Sequence, residues 1–595
     1  MRAAWDERLL DRSAPAERSS AKKASRTSAL AALLWLCAVG SAAAGNHVFD
    51  SGFEERAEGP HSDAAAARFL TQATFGPTQA EIARLRGMGY HAWLDEQFAM
   101  PATRHLPYLQ AQAASGISVY QNSRQEAWWL HSLTAPDQLR QRVAFALSEV
   151  LVVSDRSTAT EGAPMAMAHY YDVLAANAFG NYRGLLEDVT LNPVMAHYLS
   201  MFKNRKPDAA LNIRPDENYA REIMQLFSVG LVHLHADGRP VLVGGQPVPT
   251  YGQETIRGFA HTFTGWNWAN CPRTQGGQPW EWQWCPPGPV NWPAPGWDAW
   301  WLEPIEEWEN YHASEGSKQL LDYTGVALPA GVLPAGGTAR GNLATALDNL
   351  FLHPNVGPFL AQHLIKRLIT SNPSPAYVAR VAGIFANNGS GVRGDLGATV
   401  RAVLMDGEAH SLQPAGSHAG KLREPLLRLT QLWRAQDGRA DDGRYREWNP
   451  EFYLGQAALR SPSVFNFFQP DYSPTGELQD LGLLAPEFQI TTDTTIASIA
   501  NAMEGKIYWA WRGNPNAGAQ DILIDLGPQI AIAADAVRLV DHYDLVFMSR
   551  TMSPTMFNAL VTHVQALPTT ATGRRQRAQD ALWLTLTSPE YVIER

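Results

Sequence analysis

The sequence predicts a mainly α-helical protein: one large multi-helix domain with an inserted loop region and at most a few short strands. Three observations support this fold class. Apolar residues recur at helical spacing through most of the chain from Asp63 onward, and the strict alternation typical of strands is scarce. One segment breaks the helical pattern because it is rich in Trp and Pro. The 595 residues are 45% hydrophobic, which is ample for a large core.

The first 44 residues are expected to be a secretory signal peptide. Basic residues between Arg18 and Arg26 precede a 16-residue apolar run, and Ala42-Ala43-Ala44 before Gly45 is a typical cleavage site. The run is shorter than the ~20 residues that cross a bilayer, so no transmembrane segment is expected after cleavage; an uncleaved anchor is the alternative. Residues 45–62 are polar and Gly-rich, which predicts a flexible tether before a single helical domain at 63–590.

The charge of the mature chain argues against nucleic acid as a partner. The formal net charge is −10, and residues 1–44 hold seven Lys/Arg against four Asp/Glu. The remainder therefore carries a net charge of about −13. Such a surface repels a phosphate backbone.

Two cysteines, Cys271 and Cys285, remain once the signal peptide is removed. Export leads to an oxidising compartment, where an even pair predicts a disulfide. Closing a loop of this size stabilises the fold by ~3 kcal/mol in the chain-entropy account. A zinc site needs two more ligands, and none stands at a suitable spacing nearby, so no metal is expected.

The stretch from Arg214 to Leu231, RPDENYAREIMQLFSVGL, predicts a helix with many polar residues beside its apolar face. Pro215 suits the helix start, and Gly230 suits its C-terminal cap. Its apolar face comprises Tyr219, Ile223, Leu226 and Phe227.

Two polar pairs are expected on this helix. Glu217 and Arg221 are four residues apart, and so are Asn218 and Glu222. Arg221 would lower the pKa of Glu217 and make it an orienting group, which leaves Glu222 as the better acid or base. A polar network inside the fold is the alternative to a functional site.

A Trp-rich segment is the second unusual feature. Ten of the 20 tryptophans lie from Trp266 to Trp308, and seven prolines from Pro272 to Pro295 exclude a regular helix. A Trp/Pro-rich loop insertion is therefore expected at about 240–312. Indole rings suit stacking on sugars or on another protein, and the alternative is that they form an irregular core.

Common catalytic motifs are absent, and the sequence identifies no cofactor. His312 lies close in sequence to Glu309, Glu315 and Lys318, where an imidazole beside carboxylates suits a general base. A solvated acidic loop is the alternative. Candidate ligand-binding residues are Glu217, Asn218, Trp266 and Lys318.

Several motifs, in order, resemble the bacterial family called domain of unknown function 1800. The resemblance covers roughly residues 63–590 and implies an exported, mostly helical bacterial protein with no established reaction. The family usually has Asn where Asp216 stands and Glu where Gln225 stands. The motifs are RFLTQATFGPT at 68–78, NPVMAHYLSM at 192–201, ENYARE at 217–222, FTGW at 263–266, HASEGSK at 312–318, LFLHPNVGPFLAQHLIKRLI at 350–369 and SPSVFNFFQP at 461–470.

Two functions are compatible with these features. The first is an exported protein, periplasmic or extracellular, that binds a glycan or an envelope protein through the Trp-rich loops. The second is a hydrolase in the same compartments that acts on a polymer, with Glu222 as acid/base assisted by Arg221 and His312. One open cleft containing Glu222, Arg221, His312 and Trp266 would support the enzyme.

Overall fold

Helices dominate the protein because its apolar residues recur every three to four positions and polar caps mark where each run begins. A computed structural model describes residues 59–269, 297–411 and 419–595, together with Cys271 and the pairs 274–275 and 278–279. The protein is 53% helical, which confirms the mainly α fold class. The predicted signal peptide and most of the tether lie outside the described residues.

The described α-helices, in chain order, are Asp63–Ala73, Gln79–Met88, Tyr90–Ala99, Leu106–Ala114, Gln121–Thr134, Gln138–Ser148, Pro164–Asn177, Tyr182–Thr190, Pro193–Tyr198, Asn218–Gln225, Gln253–Thr262, Trp297–Leu302, Ala339–Phe351, Val356–Leu368, Pro375–Ala386, Leu396–Met405, Gly407–His410, Pro425–Ala435, Glu451–Leu454, Glu477–Asp480, Asp493–Glu504, Gly527–Ile532, Ala536–Met548, Pro554–Ala566, Ala571–Leu586 and Pro589–Val592. Short 3-10 helices span Glu309–Tyr311, Pro329–Gly331 and Pro486–Ile490.

Strands occur in the described residues only as short antiparallel pairs. Two of these pairs frame the region discussed below, since Trp266–Asn267 pairs with Glu306–Glu307 and Lys318–Gln319 pairs with Val332–Leu333. The others are Leu242–Val243 with Gln246–Pro247, Thr274–Gln275 with Gln278–Pro279, and Lys421–Leu422 with Ile593–Glu594.

Local sequence explains where many helices start. Thr78 forms a capping box with Glu81: its hydroxyl accepts from Glu81 N at 3.1 Å, and Glu81 Oε2 accepts from Thr78 N at 3.0 Å. Ser374 caps the helix that starts at Pro375 by accepting from Tyr377 N. Such caps satisfy backbone N–H groups that have no partner inside the helix.

The helices pack around one main hydrophobic core. Helix Val356–Leu368 packs on Pro375–Ala386, which in turn packs on Leu396–Met405. Trp129 joins two parts of the chain far apart in sequence, since its ring lies 4.9 Å from that of Trp128 and 5.0 Å from that of Trp433. Both contacts are edge-to-face, the geometry that aromatic rings prefer.

The central helix, Asn218–Gln225, is shorter than predicted. It begins three residues after Pro215 because Asn204 holds Asp216 outside the helix through two hydrogen bonds to the Asp216 backbone, of 2.8 and 3.0 Å. At the other end, Gly230 has a φ of 71° and its N–H bonds to Met224 O. This left-handed conformation is the one expected for a C-terminal glycine.

Two further expectations need correction. The alternating apolar residues at 506–511 predict a short strand, but helix Asp493–Glu504 continues into a π-helical turn at Gly505–Trp509. Helices Gln253–Thr262 and Trp297–Leu302 lie inside the predicted loop insertion, and the sequence pattern predicts neither. None of the helices in the described ranges combines the length and apolar character that crossing a lipid bilayer requires.

Candidate functional site

Glu217 is held by two neighbours at the start of the central helix. Arg221 Nη2 donates to Glu217 Oε2 at 2.6 Å, as the predicted four-residue spacing implies. Gln253 Nε2, from the next helix, donates to both carboxylate oxygens at 2.9 and 3.0 Å. The Glu217 and Arg221 side chains remain 30% and 43% exposed, so this ion pair lies at the surface.

The pKa of Glu217 is lowered by this arrangement. Partial burial acts to raise it, but hydrogen bonds from Gln253 and Arg221 and the charge of Arg221 outweigh that effect. Glu217 is therefore a fixed carboxylate at neutral pH.

Glu222 lies in a different environment on the same helix. Its Oε2 atom is buried and accepts no hydrogen bond from the part of the chain that the structure describes. Burial raises the pKa of Glu222, and the charge of Arg221 only partly offsets this. Burial, followed by the nearby charge of Glu222, also raises the pKa of Tyr198 and of Tyr251 to about 12. Glu222 thus has the properties of an acid beside two tyrosines.

The predicted pair of Asn218 and Glu222 does not form. Both residues are described, and no hydrogen bond joins their side chains. Asn218 N instead donates to Asp216 Oδ1 at 2.8 Å. Glu222 therefore has no hydrogen bond from the Asn218 amide.

His312 is a structural histidine in this fold. It is fully buried. Its Nδ1 lies 3.0 Å from Thr264 O, and its Nε2 lies 2.9 Å from Asn342 Nδ2. With Nδ1–H donating to the carbonyl, the Nε2 lone pair is occupied by the amide. Burial lowers the pKa of His312. Neither nitrogen is available to act as a general base.

Trp266 is likewise buried, and its ring lies under Arg340, whose guanidinium carbon is 4.9 Å from the ring centre. Trp268, Trp301 and Trp308 are also buried. Trp268 and Trp301 meet edge-to-face at 5.2 Å and enclose the His197 ring, which lies 4.4 Å from Trp301. These indoles form an irregular core, and Trp266 and His312 do not line an open cleft with Glu222 and Arg221.

Four further tryptophans of the segment are relevant to the binding hypothesis. Trp280, Trp282, Trp284 and Trp292 lie outside the described residues, as does Cys285. Cys271 is buried. The disulfide therefore stays a prediction.

Lys318 lies near the same helices, but inside the fold. Its Nζ atom is buried and has no hydrogen-bond partner among the described residues, and burial lowers its pKa. The neighbouring Gln319 touches helix Gln253–Thr262 so closely that a Cβ on Gly258 would lie 1.9 Å from Gln319 O. Lys318 thus lies in a strand that packs on the helix supplying Gln253, and among the described residues no hydrogen bond or ion pair joins Lys318 to Glu217 or Arg221.

The structure adds three residues that the sequence does not single out. Tyr198 comes from one part of the chain and Tyr251 and Gln253 from another, and they meet the central helix only in the folded protein. These residues belong to no motif and no periodic pattern that would predict this role, so the sequence does not single them out. Within the described ranges, no three His, Cys, Asp or Glu side chains are grouped so that they could hold a metal ion.

Comparisons with known proteins identify one family. A family described as "Protein of unknown function (DUF1800)" matches residues 68–593 of the chain. No curated protein and no solved structure matches it.

Proposed function

The chain belongs to this family of proteins of unknown function, and we propose that it is an exported hydrolase of the envelope or extracellular space whose acid is Glu222. One observation carries this proposal: two carboxyl groups on one short helix have pKa values shifted in opposite directions, Glu222 upward and Glu217 downward. Environments that separate two carboxyl pKa values in this way are typical of acid–base catalysis.

Each residue takes a separate part in the proposed reaction. Glu222, whose pKa burial raises, donates its proton to the leaving oxygen as that bond breaks, while a water molecule attacks the adjoining atom and returns a proton to Glu222. Glu217 stays ionised and fixes the guanidinium of Arg221, which orients an anionic group of the substrate. Gln253 holds the carboxylate of Glu217 in place. Because the ion pair lies at the surface, a polymer chain can reach it without entering a deep pocket.

Hydrolysis of polymers tests the proposal directly. Purified protein would be incubated with peptidoglycan sacculi, chitin and soluble polysaccharides, and new reducing ends would be measured. We expect Glu222→Gln to lower kcat/KM by about 10²-fold or more, the usual contribution of a general acid. Glu254→Gln makes the same change at an exposed carboxylate paired with Arg257 and should leave kcat/KM unchanged.

Two results would contradict this function. One is wild-type protein that releases no reducing ends from any of these polymers. The other is a Glu222→Gln variant that keeps wild-type activity while circular dichroism and melting show a normal fold.

Binding of a glycan or an envelope protein through the Trp-rich segment is the second candidate. The contact between Trp268 and Trp301 supports this binding function, because it joins the chain near the start of the Trp-rich segment to the chain near its end. The proposed binding residues are then Trp280, Trp282, Trp284 and Trp292. Co-sedimentation with peptidoglycan or chitin that survives Glu222→Gln but is lost in a Trp282→Ala/Trp284→Ala variant would favour binding over hydrolysis.

A further inference from the structure

Two buried carboxyl groups, far from the central helix in sequence, lie against each other inside the fold. Glu149 directly follows helix Gln138–Ser148, and Glu424 directly precedes helix Pro425–Ala435. Both are buried, and Gln456 Nε2 lies within 3.5 Å of one oxygen of each, so the two carboxyl groups are close neighbours. Two carboxylates cannot bond to each other without a proton, because each offers only acceptors.

The hydrogen bonds around the pair leave one oxygen of each carboxyl group unsatisfied. Glu149 Oε2 and Glu424 Oε1 accept no hydrogen bond from any N–H or O–H in the described ranges. Arg367 Nε and Lys421 Nζ each stand 3.6 Å from one of these atoms, beyond ordinary hydrogen-bond length. A proton on one of the two carboxyl groups would supply a donor that the chain does not.

The other two oxygens bind a single stretch of chain, residues 456–468. Gln456 Nε2 donates to Glu424 Oε2 at 2.7 Å and reaches Glu149 Oε1 at 3.5 Å. Asn466 Nδ2 donates to Glu149 Oε1 at 3.3 Å. The 456–468 segment is thus attached to both members of the pair through its two amide side chains.

The 456–468 segment is held in an unfavourable backbone conformation. Leu459 and Asn466 have φ values of 54° and 64°, in the left-handed region that a leucine rarely occupies. Leu459 O accepts from Asp155 N at 3.0 Å, and Ser461 O accepts from Ser154 Oγ at 2.6 Å. Beneath the segment is a cavity of about 10 Å³, room for one water molecule, lined by Phe145, Ser148, Glu149, Gln456, Leu459 and Asn466.

Charged and titratable groups face the pair from every side. The pKa of Glu149 is raised by burial, despite the charge of Arg367 and Arg142, to about 8. Burial also acts to raise the pKa of Glu424, but the charges of Lys421, Arg367 and Arg142 outweigh burial, so this pKa is lowered. The groups around the pair are Arg142 on Gln138–Ser148, Tyr171 on Pro164–Asn177, Arg367 on Val356–Leu368, Lys421 on Lys421–Leu422 and Glu487 on Pro486–Ile490.

We propose that Glu149 and Glu424 form a proton-binding site in which one proton, held by the pair at neutral pH, keeps the 456–468 segment closed over the cavity. When the proton leaves for solvent, two carboxylates remain in contact in a buried position. Arg367, Arg142 and Lys421 keep the pKa of Glu424 low, but burial still raises that of Glu149, so the second negative charge is unfavourable while the segment is closed. The segment then opens, which hydrates the carboxylates and relaxes Leu459.

Hydrogen exchange of the full chain tests this site. Protection of the amides in 456–468 would be measured by mass spectrometry from pH 6 to pH 9.5, corrected for intrinsic exchange. Opening linked to the loss of one proton predicts that protection falls about tenfold per pH unit above pH 8. Helix Pro375–Ala386 serves as an internal reference whose corrected protection should stay constant.

Variants separate this site from general alkaline loosening. Glu149→Gln places a permanent N–H donor against Glu424, so we expect protection of the segment to become independent of pH. Glu477→Gln makes the same change at an exposed carboxylate and should keep the wild-type decline. A flat wild-type profile, or a Glu149→Gln variant with the wild-type decline, overturns the proposal.

A spectroscopic measurement on the wild-type protein covers the case in which Glu149→Gln does not fold. Infrared difference spectra between pH 6 and pH 9.5 should show the carbonyl stretch of a protonated carboxylic acid disappear near pH 8. The absence of that band from the difference spectrum would also overturn the proposal.

Discussion

Asn342 Nδ2 lies 2.9 Å from Nε2 of His312, and this contact occupies the imidazole lone pair. Thr264 O accepts from the other ring nitrogen at 3.0 Å, so the fold uses the neutral form of this histidine with the proton on Nδ1. The two contacts join the turn at 264–265, the residues after the Trp-rich segment, and helix Ala339–Phe351. His312 therefore holds three parts of the chain together.

Replacing His312 tests this structural role. His312→Ala should lower the free energy of unfolding by about 3 kcal/mol, because it leaves a cavity and an unpaired buried amide on Asn342. Urea denaturation measures the change. His91→Ala, at an exposed histidine, should change the free energy of unfolding by less than about 0.5 kcal/mol. Equal effects of the two substitutions would contradict the structural role.

The pH dependence of stability tests the environment of Glu222. Its folded-state pKa is raised, so the folded protein binds a proton more tightly than the unfolded chain. The stability that this proton binding contributes is fully present below the pKa of Glu222 in the unfolded chain. It is lost as pH rises through the pKa of Glu222 in the folded protein. The free energy of unfolding of Glu222→Gln minus that of wild type should therefore be larger at pH 8 than at pH 4. Urea midpoints at both pH values measure this, and a difference independent of pH would contradict the raised pKa.

Gly258 tests the contact that positions helix Gln253–Thr262. A Cβ at this position would lie 1.9 Å from Gln319 O, and a backbone atom cannot swing away. Gly258→Ala should therefore cost about 1–3 kcal/mol in the free energy of unfolding, as overpacking does. Gly87→Ala is the matched control, since that helical glycine has no neighbour within 4 Å, and it should leave stability equal or higher. Thermal melts that show the same Tm change for both would contradict the close approach.

The predicted disulfide between Cys271 and Cys285 can be tested chemically. Iodoacetamide should label neither cysteine in the denatured, unreduced protein and both after reduction. Reduction should lower the free energy of unfolding by ~3 kcal/mol, because the unfolded chain regains the freedom of an open loop. Labelling of both cysteines without reduction would contradict the disulfide.

The start of helix Leu396–Met405 is marked by a local cap, because Asp395 accepts from Ala398 N at 2.9 Å. Such a cap can be recognised in the sequence, since it lies next to the helix. The start of the central helix was not predictable, because Asn204, twelve residues before Asp216, holds that residue outside the helix. The π-helical turn at Gly505–Trp509 was missed for a similar reason, since Tyr508 is held there by Asp580.

The candidate site was also only partly predictable from the sequence. The ion pair of Glu217 and Arg221 follows from a spacing of four residues on a helix, and the structure contains it. The second bond to Glu217 comes from Gln253, 36 residues away. Local periodicity predicts neither this contact with Gln253 nor the burial of Glu222 beside Tyr198 and Tyr251.

The sequence by itself determined the helical fold class and the pairing of Glu217 with Arg221, because these depend on neighbours within a turn or two of the same helix. Tertiary structure decided which polar groups lost water and which gained partners. It sealed His312 and Trp266 in the interior, left Glu222 Oε2 without a hydrogen-bond donor among the described residues and brought Glu149 close to Glu424. Burial and long-range hydrogen bonds set pKa values and accessibility, and both arise only when distant segments meet.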